Sequence, residues 1–262
     1  MNRVEDIKFL DSTPHSPAAY KLSILLGVDS LLYGLWDGNQ WVALRQMETD
    51  VPGESPRSLV NLRRWLEQED FWGVPLSSVR IGFATHRFTL LPKRLFSLQH
   101  KRSYLQKLLP LGPSDLLQAE VIEWLGTVFI YALDNDLLRL FSTRFPTAVF
   151  SHTGAAALRY WRRRREEGAR LHFSLLGHRL YLTVLEHEQL LFFNAFRWEK
   201  PTDSLYYTSL VFEQSGLDRS KTPIFFSGML EEQSALLNAL RPYFAEIRPE
   251  CAEYKTFLLS VL

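Results

Sequence analysis

Few side chains in this 262-residue sequence have a type and spacing that could do chemistry. Asp29 is the best single carboxylate, standing after the strand-like run Leu22-Ser23-Ile24-Leu25-Leu26-Gly27 and beside the hydroxyl of Ser30. A carboxylate there can hold a metal ion through water, and it can equally serve as a turn residue, because Asp and Ser bond to local backbone. Thr85, His86 and Arg87 follow another strand-like run and read as an exposed polar turn, since no partner carboxylate is identifiable for proton transfer. His172, His178 and His187 could bind zinc only if they converged, and His187 lies on a different local element from the other two. Arg162, Arg163, Arg164 and Arg165 could meet phosphates, with Trp161 stacking on a base. Glu166 and Glu167 follow at once, however, and basic residues in a last helical turn offset the helix dipole, so nucleic acid is not an expected partner. Neither Ser151-His152-Thr153-Gly154 nor Ser227-Gly228-Met229 matches the Gly-x-Ser-x-Gly elbow of serine hydrolases. No catalytic residue and no metal site is expected.

The elements that would position these residues occur twice. Leu22 to Gly27 is echoed by Leu171-His172-Phe173-Ser174-Leu175-Leu176-Gly177. Each run is followed by two more strand-like runs and a helix, and Ser58-Leu59 with Glu67-Gln68 recur as Ser204-Leu205 with Glu213-Gln214. Strands are expected at 21–27, 31–36 and 41–47, with Asp37-Gly38-Asn39 as a hairpin turn, and again at 170–176, 179–186 and 189–197. Three meandering strands followed by helix-linked strands imply an α/β protein of two duplicated lobes, each a mixed sheet in β-β-β-α-β order flanked by helices. The expected divisions are an irregular lead-in over 1–19, where Ser12, Pro14, Ser16 and Pro17 break structure, a first lobe over 20–167 and a second over 168–262. The two lobes are expected to face a cleft.

Composition narrows the classes further. Lys and Arg number 30 against 29 for Asp and Glu, so a net charge of +1 offers no global field to gather nucleic acid or an anionic membrane, and any such partner would need a local patch. Cys251 is the only cysteine, which excludes an intramolecular disulfide and a multi-cysteine zinc site. Residues 1–8 alternate charges where a signal peptide needs an apolar stretch, and no apolar run approaches the roughly 18 residues of a spanning helix. A cytoplasmic protein without a membrane span is expected.

The duplicated meander, the segment Phe88-Thr89-Leu90-Leu91-Pro92-Lys93-Arg94-Leu95-Phe96, and the stretch from Phe145-Pro146 to His152 resemble an uncharacterised Bacteroidetes domain-of-unknown-function family with an actin-like ATPase, ribonuclease H-like fold. The resemblance runs from about Tyr20 to the carboxyl end. It implies the fold and no particular reaction. Actin-like proteins generally cradle phosphate with two hairpins, one per lobe, each with an Asp near the end of its first strand and Gly or Ser/Thr in the turn. That pattern makes Asp29, Ser30, Thr85, Gly177 and Gly228 the nucleotide-facing positions. The first hairpin has Asp29 and Ser30 but no glycine after the Asp. In the second, Gly177-His178-Arg179 brings no carboxylate, and Ser227-Gly228-Met229 supplies one glycine where that fold usually carries a pair. The implied function is non-catalytic binding or scaffolding through an unknown protein partner, with no cofactor. The alternative is an ATP-binding switch with Mg and slow or absent hydrolysis, using the inter-lobe cleft. A nuclease of the same ancestral sheet would need converging carboxylates that Asp29 and Asp37 do not supply. Trp36 and Trp41 flank a hairpin and Trp72 closes a helix, so these rings are the expected partner surface.

Overall fold

The computed structural model describes residues 2–8, 20–28, 30–49, 59–164 and 167–262. The chain divides into two compact units, Met1–Ala156 with Leu262, and Ala157–Val261. The division falls inside a helix rather than at 167/168, because Trp161 and Arg164 of that helix bond to Glu250 in the second unit.

The first unit contains β1 (Asn2–Lys8), β2 (Tyr20–Leu26), β3 (Ser30–Trp36), β4 (Trp41–Thr49), α1 (Leu59–Gln68), β5 (Leu76–Phe83), β6 (Phe88–Pro92), α2 (Lys101–Gln106), β7 (Asp115–Ile122), β8 (Thr127–Asp134), α3 (Asn135–Arg144), β9 (Val149–His152) and the start of α4 (Thr153–Arg164). Its main sheet has the order β1-β4-β3-β2-β5-β9. The meander pairs antiparallel, while β5 and β9 run parallel to β2. Asp37 closes the β3–β4 turn by accepting from the N–H groups of Asn39 and Gln40, as expected of an Asx turn. β2 is apolar nearly throughout because both of its faces are covered. A second sheet, β6-β8-β7, is antiparallel and is covered by α2 through Leu105, which packs with Leu117 and Ala132.

Part of the expected irregular lead-in is a strand, since residues 2–8 pair antiparallel with β4. The sequence hid it because an edge strand needs only backbone pairing and is commonly studded with charges, as with Arg3, Glu5, Asp6 and Lys8. Residues 9–19 lie outside the described residues.

The second unit contains the rest of α4, then β10 (Ala169–Leu176), β11 (Arg179–Glu186), β12 (Gln189–Arg197), α5 (Pro201–Gln214), β13 (Ile224–Gly228), α6 (Ala235–Leu240), β14 (Ile247–Pro249) and α7 (Phe257–Ser260). The sheet order β12-β11-β10-β13-β14 places the second meander as β4-β3-β2-β5 places the first. The echoed runs hold equivalent positions, with Leu26 ending β2 and Leu176 ending β10. The core of this unit is built from Phe173, Leu182, Phe212, Phe226 and Leu237.

Candidate functional site

The carboxyl ends of parallel strands are where an open α/β sheet presents ligand-binding groups. In the first unit, β2, β5 and β9 end on Leu26, Phe83 and His152. The β2–β3 connection is closed by the Gly27 N–H donating to Ser30 O at 2.8 Å. Asp29 lies outside the described residues. Ser30 is buried, and its Oγ has no hydrogen-bond partner among the described residues. Thr153, the first residue of α4, is also buried, and its Oγ1 is likewise without a partner among them.

Thr85 is buried and is not part of an exposed turn. Its Oγ1 accepts from the Arg87 N–H at 3.1 Å, and its carbonyl accepts from His152 Nε2 at 2.9 Å. His152 Nδ1 in turn accepts from the Gly154 N–H at 3.0 Å. These two bonds fix the neutral Nε2–H tautomer and use both ring nitrogens for structure. The ring packs among Phe88, Phe129 and Tyr131. Glu120 of β7 accepts from the His152 N–H at 2.6 Å and from Ser151 Oγ at 2.7 Å. Ser151 therefore serves as a strand-to-strand tie. Arg87 does have a partner carboxylate, since it forms a two-pronged ion pair with Asp115. The Arg87 guanidinium holds the Asp115 carboxyl below its usual range, and Asp115 raises Arg87 in return. The two residues stand 28 apart in sequence, which is why the run of residues 85–87 gave no sign of the pair.

The corresponding turn of the second unit, Gly177-His178, joins β10 to β11 with Leu176 opposite Arg179. Gly177 takes a left-handed φ of 53°, a conformation that favours glycine. Its carbonyl accepts from Trp198 Nε1 at 3.1 Å, and the Trp198 ring stacks on His178 at 5.4 Å. No carboxylate belongs to this turn. Gly228, at the end of β13, has a structural reason to be glycine. Its φ is 104°, and a Cβ there would lie 2.0 Å from the Leu175 carbonyl oxygen of β10. Beside it, Ser174 and Ser227 are buried and bond to each other at 2.8 Å.

A further polar cluster, with no signature in the sequence, is buried in the second unit. Glu250 is buried and accepts from His172 Nδ1 at 2.6 Å, Trp161 Nε1 at 3.1 Å and Arg164 at 3.1 Å. Burial pushes this carboxyl up, but His172 and Arg164 together outweigh it and hold the group below the ordinary range. His172 is sandwiched between Trp161 at 4.0 Å and Phe225 at 5.5 Å. The next residue, Cys251, is half-buried, and burial pushes its thiol up. No short-range pattern reveals this cluster, because His172 and Glu250 are 78 residues apart.

The remaining candidates separate. His178 and His187 occupy turns at opposite ends of β11, roughly 30 Å apart at the rise of a strand, and His172 is enclosed by the Glu250 cluster. No group of three metal-ligating side chains occurs among the described residues. Trp161 is buried against His172 and offers no face to a base. Arg162 and Arg163 are exposed, Arg164 serves Glu250, and Arg165 lies outside the described residues. Trp41 is not a surface ring, being 4% exposed. It packs edge-on to Trp36 at 5.3 Å and over Gly34, where a Cβ would come within 3.1 Å of its ring. The missing side chain at Gly34 leaves room for Leu44, the Ala43 carbonyl and the edge of the Trp41 ring. Trp36 is half-buried, and the Trp72 side chain lies outside the described residues.

Comparison with solved structures shows the actin-like ATPase fold. A structure from Bacteroides thetaiotaomicron, described as a protein with actin-like ATPase fold and unknown function, is 19% identical, with 93% of this chain and 95% of that one covered and a TM-score of 0.79. A type IV pilus biogenesis complex, PilM–PilN, is 11% identical over 89% of this chain and 88% of that one, with a TM-score of 0.56. Comparison with curated proteins gives no match. Residues 11–247 match the family described as "Protein of unknown function (DUF3822)", and the chain belongs to it. No helix among the described residues is long and apolar enough to cross a membrane.

Proposed function

We propose that the chain is a non-catalytic binding or scaffolding protein whose two units arose by duplication and whose nucleotide chemistry has been lost. The β10–β11 turn carries this reading. It has no carboxylate, and its carbonyl and imidazole are engaged by Trp198 instead of facing a ligand. A Mg-nucleotide needs carboxylates for the metal's water shell, and Asp29 alone is a poor donor set for it. Gly228 is accounted for by its contact with Leu175. The occurrence of PilM in a complex with PilN supports the idea that a chain of this fold can act through another protein. Trp36 and Trp72 remain the candidates for such a surface.

The second reading, an ATP-binding switch with slow or absent hydrolysis, draws support from the buried hydroxyls of Ser30 and Thr153 near the strand ends, which have no partner among the described residues. Calorimetry and thermal shift with Mg-ATP separate the two. Saturation at ~100 times Kd would add about 2.7 kcal/mol of stability, and the first reading expects no such shift. Micromolar Mg-ATP binding that disappears in Asp29→Ala would overturn it in favour of the switch.

A further inference from the structure

We infer that the segment from residue 88 to residue 114, carried on the three-stranded sheet of the first unit, is a docking surface for an anionic lipid bilayer. These residues include Lys93, Arg94, Lys101, Arg102 and Lys107 and no Asp or Glu, so the segment carries +5 while the rest of the chain has 25 cations against 29 carboxylates. This is the local patch that a chain of near-zero net charge requires before it can be held at an anionic surface.

Three of the five cations are available. Lys93 pairs with Glu123, and Arg102 donates to the carbonyls of Gly112 and Asp115. Arg94, Lys101 and Lys107 form no ion pair with any described residue. The nearby carboxylates of β7 are committed, Asp115 to Arg87 and Glu120 to Ser151 and His152.

Leucines accompany them in the open. Leu95, Leu98 and Leu108 are 56%, 70% and 63% exposed. They stand on ordered backbone. Tyr104 Oη donates to Leu95 O at 2.8 Å and accepts from the Ser97 N–H at 3.1 Å, and Leu105 anchors α2 in the core beneath. Leu105 is packed inward while Leu98 and Leu108 are exposed, and in sequence Lys107 adjoins Leu108, Lys101 follows Leu98 by three residues and Arg94 adjoins Leu95. Lys/Arg beside exposed leucine is the composition of interfacial membrane binding. Protein interfaces are depleted in Lys, and their hot spots are poor in Leu. Nucleic acid would leave the leucines unused.

The test is co-sedimentation of the full chain with phosphatidylcholine vesicles, with and without phosphatidylserine. Binding is expected only with phosphatidylserine and is expected to weaken as salt rises. Neutralising Arg94, Lys101 and Lys107 to Gln should each weaken partitioning about fivefold. Leu98→Ser with Leu108→Ser should weaken it by a further tenfold or more. All five positions are exposed or half-exposed, so the melting temperature should stay unchanged and separate lost docking from lost fold. The inference is overturned if the parent chain does not partition onto anionic vesicles, or if partitioning ignores both sets of variants. It is overturned in favour of an acidic protein partner if soluble polyglutamate binds as tightly as the vesicles and the leucine variants bind it normally.

Discussion

Replacing Glu250 tests the buried cluster of the second unit most directly. Its carboxylate serves three donors, and two of them, His172 Nδ1 and Trp161 Nε1, belong to fully buried side chains. In Glu250→Ala both would lose their acceptor at ~1–3 kcal/mol each. Arg164 is about one-third exposed and can turn to water, so its loss adds little. The total comes to about 2–6 kcal/mol, which brackets the ~3–5 kcal/mol for breaking a buried pair by removing one partner. Glu250→Gln keeps an acceptor and the volume but loses the charge, and should cost about 1–2 kcal/mol. Urea unfolding followed by circular dichroism measures both. Acid gives an independent reading, because the folded carboxyl titrates below its ordinary range. The stabilisation is complete above the unfolded value of about 4.3 and is lost as pH falls through the lower folded value. The parent should therefore lose stability more steeply below about pH 4.3 than Glu250→Gln does. The reasoning fails if Glu250→Ala costs less than ~1 kcal/mol, or if the two acid limbs coincide.

Two further substitutions distinguish packing from function. Gly228→Ala should cost about 3 kcal/mol or more, from a disfavoured φ and from a Cβ against the Leu175 carbonyl. Urea unfolding without any nucleotide is the measurement, and a neutral result would show that β10 and β13 part easily. Trp41→Ala should cost about 3–5 kcal/mol as a core deletion, and Trp36→Ala less than about half of that. Equal melting temperatures for the two variants would contradict the burial of Trp41.

Local patterning made most of the architecture legible. The alternation of apolar runs with Asp37-Gly38-Asn39 and Gly177-His178 marks both meanders, because a hairpin is specified by residues adjacent in sequence. The polar contacts were not legible for the opposite reason. Arg87 finds Asp115, His152 finds Thr85 and Glu120, and His172 finds Glu250, each across strands that meet only after folding. The burial of Trp41 is not legible beside its turn, because it packs on Trp36 and Gly34 of the neighbouring strand. β1 was missed because an edge strand leaves little apolar signal. The absence of a carboxylate from the β10–β11 turn was legible at once, since a turn two residues long has nowhere else to draw one from.

Cys251 gives the Glu250 cluster a built-in reporter. It is the only thiol in the sequence, it adjoins Glu250, and burial suppresses its thiolate. Only the thiolate is alkylated, so reaction in the native protein is slow and rises when the surrounding segment opens. Because the thiol is half-buried, direct reaction adds to reaction through opening, so the ratio of that rate to the rate in urea-unfolded chain sets a lower bound on the free energy of local opening around residues 247–256. Alkylation kinetics thus turn one side chain into an upper limit on how often this end of the second sheet comes apart, without any mutation being introduced.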